Sequence, residues 1–321
     1  MKRRDILISS GAFASLAMAG AARAQIGGTP IRILVGAPAG GSTDTLARSL
    51  AASMGPVLGR TVIVENRPGA GGNIAADLVA KAPADGNTLL MSFTSHAINA
   101  TLYPSLPFDP VKDFTALTCV ATSPSILVAH PSVPAKDVRE LIALAKSKPG
   151  QLNFAIGAVG SSLHMAGEAF KMQSGVDIVN IPYKGTAPAV QDLLAGQVQL
   201  MFAAVGNVKA HIQAGKLKAL GVTTAQRLPA FPDVQAIAEV LPGYESSAWF
   251  GLFGPARMAA DNARKISDAA RQALQQADMR QRLDTEGAIP VGNSPEQFSA
   301  FVQSEIVRWA KVVKFSGAKP E

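Results

Sequence analysis

Short runs of branched and aliphatic residues alternate along this chain with stretches in which apolar residues return every three or four positions. Runs at 31–35, 61–65 and 88–92 are each followed by such a stretch, at 45–58, at 73–81 and, more briefly, after 92. Compact apolar runs bounded by turn residues predict strands, and the 3.6-residue period predicts amphipathic helices. The alternation is that of βαβ units, so the expected fold class is α/β, with mainly parallel sheets flanked by helices. The rhythm restarts after Pro131, with helices at 136–146, 163–173, 187–195 and 208–214 and strands at 152–156, 178–182, 198–202 and 217–223. One more apolar strand, 249–253, precedes a helical block at 259–276, 279–286 and 295–315. A closing block of that kind packs back on the first unit, so the chain is expected to cross between two domains twice, near 123–125 and 244–248. This gives one domain of residues 25–124 plus 246–321, a second of 125–245, and a hinge at the crossings over a cleft.

The first 24 residues read differently. Lys2-Arg3-Arg4 is a basic start, 6–20 an apolar stretch, and Ala22-Arg23-Ala24 a small-residue cleavage site, the pattern of an export signal cleaved near Ala24. A membrane anchor is the competing reading, but the uncharged stretch falls short of the about 20 residues a span requires. The Arg3-Arg4 pair leaves both general and twin-arginine export open. The expectation is a periplasmic protein without a further span.

Processing also changes the charge. Removing Lys2, Arg3, Arg4, Arg23 and Asp5 lowers the net charge from +7 to +4 over the 297 residues left. With no basic blocks or interleaved aromatics, that balance argues against nucleic acid and fits mild attraction for anions. Cys119 is the single cysteine, which excludes an internal disulfide and suits a buried, inert thiol.

Three loops share one design: a strand end, small or hydroxyl residues, then a helix N-terminus. They are Gly36–Asp44, Gly157–His164 and Tyr183–Ala187. Helix N-termini present unpaired N–H groups and partial positive charge, and α/β sheets place ligand sites beyond the carboxyl ends of strands. The plainer reading of each is an ordinary capped helix. Asp44 suits orienting its loop better than meeting an anion, His164 reads equally as donor or packed residue, and Ser95 and His96 stand where a site wall would be. No catalytic residue is expected, since there is no nucleophile elbow and no other complete constellation. No metal site is expected, since His96, His130, His164 and His211 show no ligand spacing. No cofactor is implied.

The block Glu65-Asn66-Arg67-Pro68-Gly69-Ala70-Gly71-Gly72-Asn73-Ile74-Ala75-Ala76-Asp77, read physically, is only a tight connection feeding a helix. As a sequence it resembles the signature of the Bug family, the extracytoplasmic solute receptors of tripartite tricarboxylate transporters. Two more elements are similar to that family: the Pro38–Asp44 loop and Gly160-Ser161-Ser162-Leu163-His164-Met165-Ala166-Gly167-Glu168. The resemblance implies a two-domain periplasmic-binding-protein fold, monomeric, that closes by a hinge on a small organic carboxylate. It implies ligand contacts from Gly40, Gly41, Ser42 and Thr43 in one domain and Gly160, Ser161 and Ser162 in the other, with Ala39, Asp44 and His164 as further candidates. Ser95, His96, Tyr183, Ala203 and Ala204 complete the expected set. Two departures bear on the ligand: Ala37 replaces a frequent aromatic, and Ala203 a frequent aspartate. They point to a roomier pocket, open to an aromatic acid, for a di- or tricarboxylate lacking an amino group. The partners implied are the permease subunits of such a transporter or, alternatively, a membrane sensor kinase.

Overall fold

The structure is a computed structural model that describes residues 28–320. The expected export signal lies outside the described residues.

In chain order the first elements are β1 (Ile31–Val35), α1 (Ser42–Leu58), β2 (Val62–Asn66), α2 (Asn73–Ala80), β3 (Thr88–Phe93) and α3 (Ser95–Leu102). Next come β4 (Phe114–Ala129), α4 (Val138–Ser147), β5 (Asn153–Ile156), α5 (Ser162–Ser174), β6 (Val179–Pro182) and α6 (Thr186–Leu194). Then follow β7 (Leu200–Ala204), α7 (Val205–Gln213), β8 (Lys218–Val222), β9 (Ser247–Pro255), α8 (Ala260–Ala273), α9 (Ala277–Glu286), β10 (Ile289–Pro290) and α10 (Pro295–Ser316).

The strands follow the order β2-β1-β3-β9-β4-β7-β5-β6, with β8 and β10 also on β4. Two lobes result. In lobe 1, β2, β1 and β3 are parallel while β9, β4 and β10 complete the sheet antiparallel. In lobe 2, β6, β5 and β7 are parallel and β4 and β8 antiparallel. The expected parallel character therefore belongs to three strands in each lobe.

The 16-residue strand β4 serves both sheets. Its first part pairs with β9 as far as Pro124↔Ser247, and from Ser125 it pairs with β7. Proline lacks the N–H that a central strand spends on its ladder, so it is tolerated where pairing changes hands. At this seam Thr223 Oγ1 accepts the Ser125 N–H at 3.0 Å and donates to the Ser125 carbonyl at 2.9 Å. The return passage is beside it, with the Ser246 N–H on the Thr223 carbonyl at 2.9 Å.

Three apolar clusters fill the layers. One lies under α1, α8 and α9 in lobe 1, one under α6 and α7 in lobe 2, and the largest runs through both lobes beneath α3, α5 and α10. Trp249 on β9 and Trp309 on α10 are buried in the last, and both indole N–H groups donate to the buried Glu305 Oε2, at 3.0 and 2.9 Å. Arg308 pairs with the same carboxylate at 2.7 Å and lies over the Trp309 ring. This carboxylate ties the terminal helix to the strand that leaves the seam.

Glu305→Ala would leave two buried indole donors and a guanidinium without their acceptor, a loss of about 2–4 kcal/mol. Urea unfolding is expected to show the midpoint falling at unchanged slope, while Val307→Ala on the exposed face of the same helix leaves it within about 0.5 kcal/mol.

Candidate functional site

The carboxyl ends of β1 and β3 in lobe 1 and of β5 and β7 in lobe 2 open onto the space between the lobes. Each lobe offers a helix N-terminus there. Loop one runs from β1 into α1. Gly36 lies so close to the turn after β2 that a Cβ on it would sit 2.6 Å from the Gly72 Cα. Loop two runs from β5 into α5, and Gly157 abuts the turn after β6, its carbonyl accepting the Gly185 N–H at 2.9 Å.

The block 69–72 explains its own composition. Gly69, Ala70, Gly71 and Gly72 all have positive φ, at 125°, 48°, 62° and 97°. A run in that region is closed to ordinary side chains, which is why three of its four residues are glycine. Asn99 Nδ2 clamps the turn from α3, donating to the Gly71 carbonyl at 3.1 Å and to Asn73 Oδ1 at 2.8 Å.

Two cavities lie between the lobes. One, of about 340 Å³, is lined by Gly71, Phe93, Ser95, Asn99 and Tyr103 of lobe 1 and by Ala158–Ser161 of lobe 2. The other, of about 420 Å³, lies between Val205, Gly206, Lys209 and Leu228 on one side and Asp284, Thr285 and Gly287 on the other, with Pro124 of the seam in its wall.

The expected site residues fall into distinct settings. Ala39, Gly40, Gly41 and Ser42 are exposed on loop one, while Thr43 and Asp44 are buried at the start of α1. Asp44 accepts from the Gly40 N–H at 2.9 Å, Asn66 Nδ2 at 2.9 Å and Arg48 Nε at 3.0 Å. Burial would raise its pKa, but the Arg48, Gly40 and Asn66 hydrogen bonds outweigh that and hold the carboxyl below its ordinary range. It orients the loop. Gly160 and Ser161 line the smaller cavity, and Ser162 is half-buried at the first turn of α5. Ser161 caps that helix, its Oγ accepting the His164 N–H at 3.2 Å.

His164 is buried, with Nδ1 accepting the Gly160 N–H at 3.1 Å. Tyr183 turns its hydroxyl onto Asp192 at 2.8 Å, and its pKa is pushed up to about 12 by burial and by that carboxylate. Ala203 is buried within β7, whereas Ala204 ends the strand beside the larger cavity's Val205 and Gly206.

His96 requires a correction. Ser95 does reach the cleft, but His96, the next residue on α3, is a core side chain. It stacks on Phe253 at 4.9 Å between centroids, meets Phe114 edge-on at 5.1 Å, and its Nε2 donates to the Pro110 carbonyl at 2.8 Å. A residue one step along a helix lies about 100° round it, so adjacent residues need not share a wall. Lys209, Asp284 and Glu286 were not foreseen. Glu286 closes α9 and accepts from Ser42 Oγ at 2.9 Å, placing a carboxylate beside loop one. Nothing local in its sequence marks it, since a contact 244 positions distant depends on how α9 returns to lobe 1.

Among the described residues no group of three or more His, Cys, Asp or Glu side chains is arranged to hold a metal ion. Cys119 is buried, its pKa pushed up to about 12 by desolvation and then by the Glu305 charge, so it stays a thiol.

Two sheets joined by a seam over an open cleft, with helix N-termini aimed into it, define a solute-binding protein of the periplasmic type. The model of the tripartite tricarboxylate transporter family receptor matches residues 46–317, and the chain belongs to that family, which comprises receptors and not enzymes. The protein BugT of Bordetella pertussis is 39% identical over 90% of both chains. An R. palustris protein solved with adipate is 36% identical, with a TM-score of 0.77 over 91% of this chain and 99% of its own. MatC from Rhodopseudomonas palustris, solved with bound malate, is also 36% identical, with a TM-score of 0.74 over 88% of this chain and 98% of its own.

Burial lowers the His96 pKa from 6.5 to about 4, against the Pro110 hydrogen bond, which raises it. The unfolded chain therefore takes up a proton first as pH falls. Stability from this group is whole above about pH 6.5 and drains away towards pH 4, by about 3 kcal/mol. His96→Gln, which keeps a donor for the Pro110 carbonyl, is expected to flatten the pH dependence of urea stability across that window.

Proposed function

We propose that this chain is an exported periplasmic receptor that closes on a small organic carboxylate and presents it to the membrane permease subunits of a tripartite tricarboxylate transporter. The observation that carries the reading is the pairing of two uncharged helix N-terminal loops, 39–43 and 160–162, one on each lobe, beyond the carboxyl ends of β1 and β5. A dicarboxylate spanning them gives each lobe one anionic end, and a ligand touching both lobes favours the closed state. Adipate and malate in the two similar proteins support this ligand class.

The two domains of this proposal are residues 25–124 plus 246–321 and residues 125–245. Its hinge is the seam of β4 at Ser123–Ser125 and the neighbouring return strand. The basic and apolar pattern of residues 1–24 supplies the export signal. Ala203 is a buried methyl within β7 where the resemblance often has an aspartate, so a carboxylate partner for an amino acid's ammonium is missing, which supports a ligand without an amino group. Small Ala37 at the end of loop one's strand supports room for a longer or aromatic acid.

A thermal-melt panel of the purified protein against adipate, malate, citrate, benzoate and glutamate tests the class. A bound ligand at about 100 times its dissociation constant adds about 2.7 kcal/mol, which moves the midpoint by several degrees. A rise with a carboxylate lacking an amino group is the expected result. A flat panel after unfolding and refolding, or a rise with glutamate alone, overturns it.

Glu286 gives a second test. Its carboxylate beside Ser42 repels an anion that approaches loop one, so Glu286→Gln is expected to tighten binding of the responding acid about three- to tenfold by calorimetry. The gain should shrink as salt rises.

A further inference from the structure

The two loops are built to the same plan, although their sequences share little. Gly40 has φ of 82° and Gly160 has φ of 73°. Each is followed by an extended capping residue, Gly41 at φ −78° and ψ 165° and Ser161 at φ −69° and ψ 159°, and then by a helix. In each the glycine N–H turns back into its own lobe and donates to the side chain four residues on, Asp44 Oδ2 at 2.9 Å or His164 Nδ1 at 3.1 Å. Both acceptors are buried, and an asparagine from the neighbouring parallel strand braces each, directly at Asp44 and through Glu168 at His164. Asn66 at the end of β2 donates to Asp44 Oδ1 at 2.9 Å. Asn180 on β6 places its amide 3.2 Å from His164 Nε2 and donates to Glu168 Oε1 at 2.6 Å.

We propose that Asp44 and His164 are paired positioning residues: each withdraws the N–H of a left-handed glycine from the cleft and thereby fixes the loop that meets the ligand. The proposal rests on the reading of these two loops as the ligand's anchors. It changes the part played by Gly40 and Gly160, whose N–H groups are spent on loop shape and leave ligand contact to their neighbours. The chemistry of the acceptor explains the residue types. Asparagine and aspartate carry an acceptor within reach of the i−4 N–H from the first helical turn, and so does imidazole when its proton sits on Nε2. Here Nδ1 receives the Gly160 proton, so Nε2 carries the ring's own and faces Glu168 Oε1 at 3.6 Å, and the 3.2 Å approach of Asn180 Nδ2 to Nε2 is that of two donors converging on this one carboxylate oxygen. Burial would raise the Glu168 pKa, but the His164, Asn180 and Lys171 hydrogen bonds outweigh it and hold the carboxyl below its ordinary range, with Lys171 paired at 2.5 Å.

The loop so fixed is sterically tight as well. A Cβ on Gly160 would lie 2.5 Å from Leu102 Cδ2 of α3, so the apex of loop two is seated against lobe 1 and small changes in its path alter how the lobes meet.

The test is amide exchange and side-chain 15N spectroscopy of the ligand-free protein, with adipate titration as a second arm. In wild type, the Gly40 and Gly160 amides are expected to be protected and His164 to show the neutral ring protonated at Nε2. His164→Leu should expose the Gly160 amide to exchange at least tenfold faster while Gly40 is unchanged, and His164→Asn, which restores an acceptor, should return the protection. Asp44→Leu should do the same to Gly40 alone. Adipate binding should weaken about tenfold in His164→Leu and recover in His164→Asn, a pattern that general loosening of the lobe would not give. An unprotected Gly160 amide in wild type, a ring protonated at Nδ1, or unchanged protection in His164→Leu overturns the proposal. If adipate fails to bind the wild-type protein, the carboxylate reading loses its support for this acid, and the amide and tautomer data still decide the latch.

Discussion

Everything in this molecule hangs on one strand belonging to two sheets. β4 pairs with β9 and β10 in one lobe and with β7 and β8 in the other, and only the single residue step at Pro124–Ser125 separates the two sets. Because a strand rises little more than 3 Å per residue and cannot fold back on itself, the lobes are held end to end along it. Parallel strands in each lobe then run towards the common space, where the start of α3 in one lobe and the loop before α5 in the other line the smaller cavity. The cleft is thus a consequence of sheet topology before any side chain is chosen. At the seam and in the return strand beside it, the Ser125, Thr223 and Ser246 hydrogen bonds keep the two passages in register.

On the proposed function, recognition in such a cleft falls to the backbone. The loop residues 39–43 and 160–162 carry no charge, so the local attraction for an anion is that of the first N–H groups of α1 and α5. These dipoles do not discriminate between acids that share a carboxylate. Discrimination must come from the walls, where Lys209 and Asp284 line the larger cavity and Glu286 stands beside loop one. Family membership therefore reaches the ligand class sooner than it reaches the ligand.

The alternation of apolar runs made most of the elements legible, because each strand and helix buries one face against a layer and writes its period into the sequence. The long β4 was not legible: Pro124 reads as a break, and its tolerance depends on a change of partner that only the folded sheet provides. His96 was misplaced for a related reason. Its neighbour Ser95 does line the cleft, but rotation along α3 carries the imidazole into a cage of Phe108, Phe114 and Phe253, a setting assembled from the stretch that follows α3 and the distant strand β9. The glycine-rich block announced a turn, and its four successive positive φ values show why no looser composition serves. The bracing roles of Asn66 and Asn180 were not legible, the first noted only as part of the glycine-rich block, because an asparagine that braces a neighbouring loop leaves no local periodic mark.

The matching construction of the two loops also settles how the lobes avoid spoiling their own anion sites. A buried carboxylate at the start of α1 would set a negative charge near the incoming ligand, yet Asp44 is paired with Arg48, whose guanidinium also reaches Asn66. In lobe 2 the corresponding acceptor is an imidazole, and the carboxylate behind it, Glu168, is matched by Lys171. Each lobe thus balances its charge internally, one turn back from the cleft. On the proposed function the ligand meets the N–H groups of the two helix starts, with Glu286 beside the first as the one opposing charge, and the loops' direction is set by the hydrogen bonds that the glycines make behind them.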